Sequence, residues 1–140
     1  MSGYCDAAPG DPWHGPYHAT EYGFPIRDEH VLFERLMLEV NQAGLSWLTV
    51  LKKREAFHAA FDGFDPGRVA GYGAADRERL LADPGIIRNR LKIDAAIANA
   101  AVVAELAIAA AESARRLVFP GSSVTTPVRP AIVECYADAK

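Results

Sequence analysis

A carboxylate within an apolar helical stretch is the first candidate for chemistry. Glu39 lies between Leu38 and Val40, near the end of a predicted helix that begins after Asp28. Burying a carboxylate is costly unless a partner hydrogen-bonds to it or neutralises it, and buried glutamates are uncommon for that reason. From spacing alone we favour a boundary position, in which Glu39 faces solvent or pairs along the helix with Arg35. A functional carboxylate is the alternative.

A glycine turn followed by clustered cations is the second candidate. Residues 85–92 read as a tight turn that opens a helix. Backbone N–H groups at a helix N-terminus bind phosphate, and arginines add charge-assisted hydrogen bonds. Four residues form the predicted contact: Gly85, Arg88, Arg90 and Lys92. A solvated helix start whose arginines pair with Asp83 or Asp94 carries equal weight, and the basic residues 52–54 are interpreted as a solvated face.

Helix signals indicate which elements hold these groups. Asp28, Ser46 and Asp65 are predicted N-caps, and Pro66 fits the first turn of its helix. The predicted helices cover residues 28–42, 46 onwards, 65–71, 75–82 and 93–116. Their predicted buried positions are Val31, Leu32, Met37 and Leu38, then Trp47, Val50 and Leu51, then Ile93, Ile97, Ala100 and Val103. No segment before residue 117 alternates with period two, so we predict an all-α fold.

Length and composition predict one folded domain. The chain has 140 residues, of which 50% are hydrophobic and 24% charged, enough for a modest core. We divide it into a loop-rich segment 1–27, a helical core 28–116 and an irregular tail 117–140. The net charge of -3 means that any nucleic-acid-binding face must be local. No apolar run free of charge reaches the roughly 20 residues of a membrane helix, and the N-terminus lacks secretory signal features, so we expect a soluble cytoplasmic protein.

Four stretches together resemble the DNA-3-methyladenine glycosylase I family, a branch of the helix-hairpin-helix glycosylases. They are Tyr17-His18 with residues 21–25, then residues 38–55 with their Gln-Ala-Gly-Leu-Ser-Trp block, then Phe64-Asp65-Pro66, and last residues 85–93. The resemblance covers about residues 4–105. It implies a compact helical bundle that flips a damaged purine out of double-stranded DNA and hydrolyses its N-glycosidic bond, in base excision repair of alkylation damage. It implies no organic cofactor.

The resemblance changes the interpretation of Glu39. The matching glutamate in the family lines the base pocket, where it accepts hydrogen bonds from the flipped adenine and favours its cationic, methylated form. Because a cationic base is already a good leaving group, less acid catalysis is needed than in a typical glycosidase with paired carboxylates. We therefore predict Glu39 as the catalytic residue.

Aromatic residues are the predicted walls of the base pocket. Tyr17, Tyr22 and Trp47 are candidates for stacking on the base, each contact being worth about 1–3 kcal/mol. Ordinary core packing is the alternative, with equal weight for Trp47. The family usually has tryptophan where Tyr22 stands, tyrosine at the position of His14, and tryptophan at that of Ala7. We include His14 among the base-binding residues, although these departures weaken the expected wall.

The family's structural zinc has an incomplete ligand set here. Cys5 and His18 match its first two ligands, and thiolate with imidazole is a normal zinc pair. The second pair, a histidine and a cysteine, should follow near the C-terminus. No histidine follows His58, and Cys135 is the only late cysteine. At most three of four ligands are therefore present, and we expect zinc, if bound, to be held weakly.

The likeness to the family stops after about Leu106. Family members are longer, and their last helices close the core, so we expect those helices to be lacking through truncation or an altered reading frame. The loss would uncover apolar faces of residues 31–42 and 93–107, which favours self-association. The alternative to an active glycosylase is an inactive remnant that at most binds DNA. A zinc hydrolase using Cys5, His18 and Glu39 lacks supporting ligand spacing.

Overall fold

The computed structural model describes residues 3–118, and side chains as far as residue 110. This part of the chain is entirely α- and 310-helices joined by turns, which confirms the predicted all-α class. The α-helices are α1 (Tyr4–Ala7), α2 (His14–Thr20), α3 (Glu29–Gln42), α4 (Trp47–Ala60), α5 (Pro66–Ala70), α6 (Ala74–Ala82) and α7 (Arg90–Val118). Two 310 turns, Ala8–Gly10 and Asp62–Phe64, complete the order.

The N-terminal segment is more helical than predicted. Residues 1–27 lack a clear apolar period and were expected to form a loop with short turns, yet α1 and α2 occupy much of this range. The Asp11 carboxylate explains the start of α2, since it accepts hydrogen bonds from the N–H groups of Trp13 and His14 at 2.8 Å each. Aromatic contacts with neighbouring residues, described below, stabilise these short helices where periodicity gave no signal.

Helix α3 begins where the sequence predicts. The Asp28 carboxylate accepts from His30 N–H at 2.9 Å and from Val31 N–H at 3.0 Å, which satisfies two of the free donors of the first turn. Its buried stripe was only partly predicted, because Val31 and Leu32 are exposed. The stripe instead consists of Phe33, Glu34, Met37, Leu38 and Asn41.

The predicted caps of the next two helices are confirmed. The Ser46 hydroxyl accepts from Thr49 N–H at 3.2 Å, and the Asp65 carboxylate accepts from Arg68 N–H at 3.1 Å. On α4, Val50 and Leu51 are buried as predicted, whereas Trp47 is half-buried at the edge of the core.

Stacked aromatic side chains fill the centre of the domain. Phe61 and Phe64 lie parallel with ring centroids 5.8 Å apart, and Phe33 meets Phe64 edge-on at 5.9 Å. The turn that presents Phe64 is left-handed, with φ values of 51° at Asp62, 68° at Gly63 and 55° at Phe64. Such a conformation costs a non-glycine residue about 1 kcal/mol, and complete burial of the Phe64 ring offsets it.

Helix α7 is the long core helix that the sequence predicts. Its buried stripe is Ile93, Ile97, Ala100 and Val103, and it packs against α3, α5 and α6. The stretch Arg90–Ala110 is long and apolar enough to cross a membrane, which is weak evidence, since the core helix of a soluble protein passes the same test. Leu91 and Ile108 on this helix are 79% and 62% exposed. Self-association through such surfaces stays a prediction, and the tail 119–140 lies outside the described residues.

We predict that Asp28→Ala lowers the free energy of unfolding by about 1 kcal/mol, because two N–H groups of α3 lose their acceptor. Asp28→Asn is the matched control, since its amide oxygen keeps the cap. Urea unfolding of both variants measures the difference. Equal loss in the two variants would show that the charge, and not the cap, matters.

Candidate functional site

Six rings form one aromatic cluster on the N-terminal side of the domain. Its members are Tyr4, His14, Tyr17, His18, Tyr22 and Trp47. Four of the predicted site residues, His14, Tyr17, Tyr22 and Trp47, are therefore brought together, although their base-binding role stays a prediction. Tyr4 is an addition that sequence analysis missed. It contacts His14, His18 and Tyr22, and its hydroxyl lies 3.1 Å from His14 Nδ1.

Tyr17 is the buried member of the aromatic cluster, with only 7% of its surface exposed. Its ring centroid lies 5.2 Å from that of Trp47 in an edge-on arrangement and 6.3 Å from that of Tyr22. Tyr22 is stacked on His18 at 5.6 Å but is 47% exposed. Tyr17 thus forms the buried floor of the cluster, and the cluster is open to solvent at Tyr22. A planar ligand can enter from this open side.

Glu39 lies on the last turns of α3 beside this cluster. Its side chain is exposed, and within residues 3–110 it makes neither a hydrogen bond nor an ion pair with another side chain. Burial raises the pKa of the Tyr17 phenol, Arg35 opposes that change, and the charge of Glu39 adds to it, so the carboxylate acts on the cluster electrostatically. The solvent-facing interpretation of Glu39 is right as to exposure, whereas the proposed pairing with Arg35 is wrong.

Arg35 belongs instead to an ionic network of Glu21, Glu34, Arg35 and Arg54. Arg35 Nη2 donates to Glu21 Oε2 at 2.6 Å, and Arg54 Nη1 donates to the other oxygen of Glu21. Arg54 also donates from Nε and Nη2 to the two oxygens of Glu34, at 2.8 and 3.1 Å. Two arginines and two glutamates neutralise one another, and they tie the segment after α2 to α3 and α4.

The network is substantially removed from water. The exposed fractions of its side chains run from 10% for Glu34 to 28% for Arg54. Burial disfavours the charged form of Glu21, but the hydrogen bonds and charges of Arg54 and Arg35 outweigh it and hold the pKa of Glu21 below its ordinary value. The hydrogen bond with Glu34 is the largest cause that raises the pKa of Arg54. Glu21 and Arg54 therefore stay charged at neutral pH.

Sequence analysis placed Arg54 in a solvated basic face, and the structure corrects this. A signal for the network was present, because Glu34 falls on the same helical face as Phe33, Met37 and Leu38. A carboxylate on a buried face needs a cation, and Arg54 supplies it here. Lys53, also predicted to lie on this solvated face, donates to the carbonyls of Pro84 and Gly85, at 3.2 and 2.9 Å.

The basic turn before α7 leaves two cations without an ion pair among the side chains of residues 3–110. Arg88 and Arg90 are exposed, and neither pairs with the acids considered above. Asp83 accepts from Gly85 N–H at 2.7 Å, and Asp94 pairs with Arg77 at 2.7 Å. The Gly85 N–H is therefore occupied, and the predicted phosphate contact rests on the two arginines. A Cβ at this position would meet Ala56 Cβ and Asp83 Oδ1 at 3.0 Å each, so a larger residue would force these neighbours to shift.

Lys92 joins the start of α7 to the end of α3. Its ammonium donates to the carbonyls of Asn41 and Ala43, at 2.8 and 2.7 Å, and burial lowers the pKa of Lys92. Two of its three donors are thus committed within the protein, where they satisfy carbonyls that end a helix. This contact brings the basic turn to the end of α3 that carries Glu39.

Comparison with known proteins identifies the family. The methyladenine glycosylase family model matches residues 7–125. The chain belongs to this family. It is 52% identical over 96 residues to DNA-3-methyladenine glycosylase 1 of Escherichia coli, covering 69% of this chain and 51% of that protein. It is 45% identical over 95 residues to the DNA-3-methyladenine glycosylase of Haemophilus influenzae, covering 64% and 51%.

A solved structure agrees with this assignment. The 3-methyladenine DNA glycosylase I of Staphylococcus aureus superposes with a TM-score of 0.67 at 41% identity, over 71% of this chain and 53% of that one. The resemblance seen in the sequence is therefore confirmed, and the family match extends beyond the quoted motifs to residue 125. The chain spans about half the length of the curated relatives it matches.

The described residues do not assemble the zinc site that the family resemblance implies. Cys5 is exposed and forms no disulfide within the part of the chain that the structure describes, and His18 is stacked on Tyr22. Nowhere in the described range do three or more histidine, cysteine or acidic side chains approach closely enough to hold a metal. Cys135 lies outside that range. Two ligands do not make a stable zinc site, and weak zinc binding by Cys5 and His18 stays a prediction.

We predict that Arg54→Met lowers the free energy of unfolding by about 3 kcal/mol, because Glu34 is then buried without a partner. Arg77→Met removes the more exposed ion pair with Asp94 and should cost about 1 kcal/mol or less. Chemical unfolding of the two variants provides the comparison. Losses of the same size would mean that the network contributes no more than a surface pair.

Proposed function

We propose that the protein is a DNA glycosylase that releases 3-methyladenine from alkylated double-stranded DNA. Membership of the methyladenine glycosylase family supports the reaction class. The observation that carries it in this chain is the position of the Glu39 carboxylate beside an open cluster of aromatic rings. Because the proposed substrate is chromosomal DNA and the named relatives are bacterial, we place the activity in the bacterial cytoplasm.

The proposed reaction needs only water as co-reactant. Methylation of adenine within DNA leaves the base positively charged, so the glycosidic electron pair goes readily to the purine nitrogen when the bond to C1′ breaks. Water adds its oxygen to C1′ and loses a proton to solvent. Glu39 would favour the cationic base over normal adenine, because opposite charges attract most strongly where water is partly excluded.

The aromatic cluster would receive the extruded base. An enzyme that acts on a base must take it out of the duplex and compensate for the lost stacking. Tyr22 is 47% exposed and Trp47 is half-buried, so both rings would be accessible to the base, and Tyr17 would close the floor of the site. Arg88 and Arg90 would hold the DNA backbone near the same end of α3, through phosphate contacts that carry no sequence information.

A second candidate function is DNA binding without catalysis. The observation that favours it is the exposure of Glu39 and Tyr22, since a carboxylate open to solvent discriminates weakly between charged and neutral bases. The matched relatives are about twice as long as the aligned region. The two candidates differ in one measurable respect, which is the release of free base.

We predict that the protein releases 3-methyladenine from methylated duplex DNA and that Glu39→Gln slows release by about 10- to 100-fold, the equivalent of one charge-assisted hydrogen bond. Chromatography of the released base gives the rate. Glu55→Gln, an exposed glutamate on α4, is the matched control and should leave the rate unchanged.

Two results would contradict this proposal in different ways. Release by the original chain with no loss in Glu39→Gln would remove the role of the carboxylate but keep the enzyme. No release by the original chain, together with retained DNA binding, would favour the non-catalytic candidate.

We predict that replacing both Arg88 and Arg90 with alanine weakens binding to every DNA sequence. The slope of log affinity against log salt should become shallower by about 2, because each phosphate contact releases roughly one counterion on binding and two such contacts are lost. Fluorescence anisotropy at several salt concentrations measures it. Replacing Arg27 and Arg68, two exposed arginines outside this turn, with alanine removes the same charge and is the control. The same slope in both double variants would exclude the basic turn from the interface.

A further inference from the structure

The Tyr17 hydroxyl is held by a group that can only donate hydrogen bonds. Arg35 Nη1 lies 2.9 Å from this oxygen, and the Arg35 guanidinium carbon lies 4.6 Å from the centre of the Tyr17 ring. A guanidinium has no acceptor, so the Tyr17 oxygen accepts and its own proton must point elsewhere. Within residues 3–110 the hydroxyl makes no other hydrogen bond.

Arg35 is itself fixed in place. Its side chain is 16% exposed, and Nη2 is bound to Glu21 at 2.6 Å. Glu21 is in turn held by Arg54, whose other donors bind Glu34. A chain of charge-assisted hydrogen bonds therefore runs from α4 to the floor of the aromatic cluster, and such bonds are shorter and stronger than neutral ones.

We propose that Arg35 is a positioning residue that fixes the Tyr17 ring and turns the Tyr17 hydroxyl into a hydrogen-bond donor for the bound base. This inference rests on the proposed function, since it takes the aromatic cluster as the base site. Arg35 does not touch the base. It decides which way the phenol proton points, so that the site offers a donor at Tyr17 and an acceptor at Glu39.

This division of roles bears on specificity. An adenine ring presents acceptor nitrogens beside an amino donor, so a fixed donor and a fixed acceptor match it better than two freely rotating groups. A site built to hydrogen-bond its ligand rejects analogues that leave its polar groups unpaired. Without Arg35 the Tyr17 hydroxyl could rotate and accept from its surroundings, and this selection would weaken.

The test is a double-mutant cycle on the affinity for free 3-methyladenine, followed by quenching of tryptophan fluorescence. Arg35→Met should weaken binding about tenfold in the original chain but little in the Tyr17→Phe background, where there is no hydroxyl to orient. Such coupling is expected only for residues that act together. Arg35→Lys, which keeps one donor and the charge, should restore part of the affinity.

A second measurement reports the contact without any ligand. The 13Cζ resonance of Tyr17, assigned by its loss in Tyr17→Phe, should shift in Arg35→Met because the phenol oxygen loses its donor. Arg77→Met removes a cation from a distant ion pair and should leave both the resonance and the affinity unchanged. If Arg35→Met does not fold by circular dichroism, Arg35→Lys and Glu21→Gln repeat both measurements with the fold retained.

The outcomes separate the two proposals. Equal losses of affinity from Arg35→Met in both backgrounds, or an unmoved Tyr17 resonance, would overturn the role of Arg35 while leaving the glycosylase proposal intact. If the original chain neither binds free 3-methyladenine nor releases it from DNA, the proposed function is overturned and the donor role with it. Coupled losses with a shifted resonance support both.

Discussion

The Arg54 guanidinium is the contact on which the arrangement of the site depends. It binds two carboxylates at once, Glu34 on the buried face of α3 and Glu21 just after α2. Since Glu21 also holds Arg35, a single side chain on α4 determines where three other charged groups lie. Partly buried pairs of this kind gain little net stability over apolar packing, but they impose a unique geometry when every donor is satisfied. Here the pairs hold Arg35 in place, and Arg35 in turn donates to the hydroxyl of Tyr17.

Local signals made the helical framework predictable. Asp28, Ser46 and Asp65 cap their helices as their residue types indicate, and the stripe from Ile93 to Val103 buries as its spacing indicates. These features depend on interactions within one or two turns, which a sequence displays directly. The buried face of α3 was harder to predict than its start, because Val31 and Leu32 are apolar but exposed.

The candidate site was predictable as a set of residue types and not as a set of contacts. Tyr17, Tyr22 and Trp47 were predicted as pocket residues with the help of the family resemblance, and the structure brings them together. The ionic network was missed because Glu21, Arg35 and Arg54 are far apart in sequence, and pairing at such distances follows from tertiary packing alone. The helices of residues 4–20 were missed for a related reason, since ring contacts there replace an apolar period.

Lys92 links the basic turn before α7 to the end of α3. Its ammonium joins the first turn of α7 to carbonyls at the end of α3 and so ties the segment carrying Arg88 to the helix carrying Glu39. If these two residues meet DNA as proposed, the lesion and the gripped phosphates are separated by a constant number of nucleotides. In footprinting experiments on damaged duplexes, the protected phosphates would then lie at the same distance from the modified base, whatever sequence surrounds it.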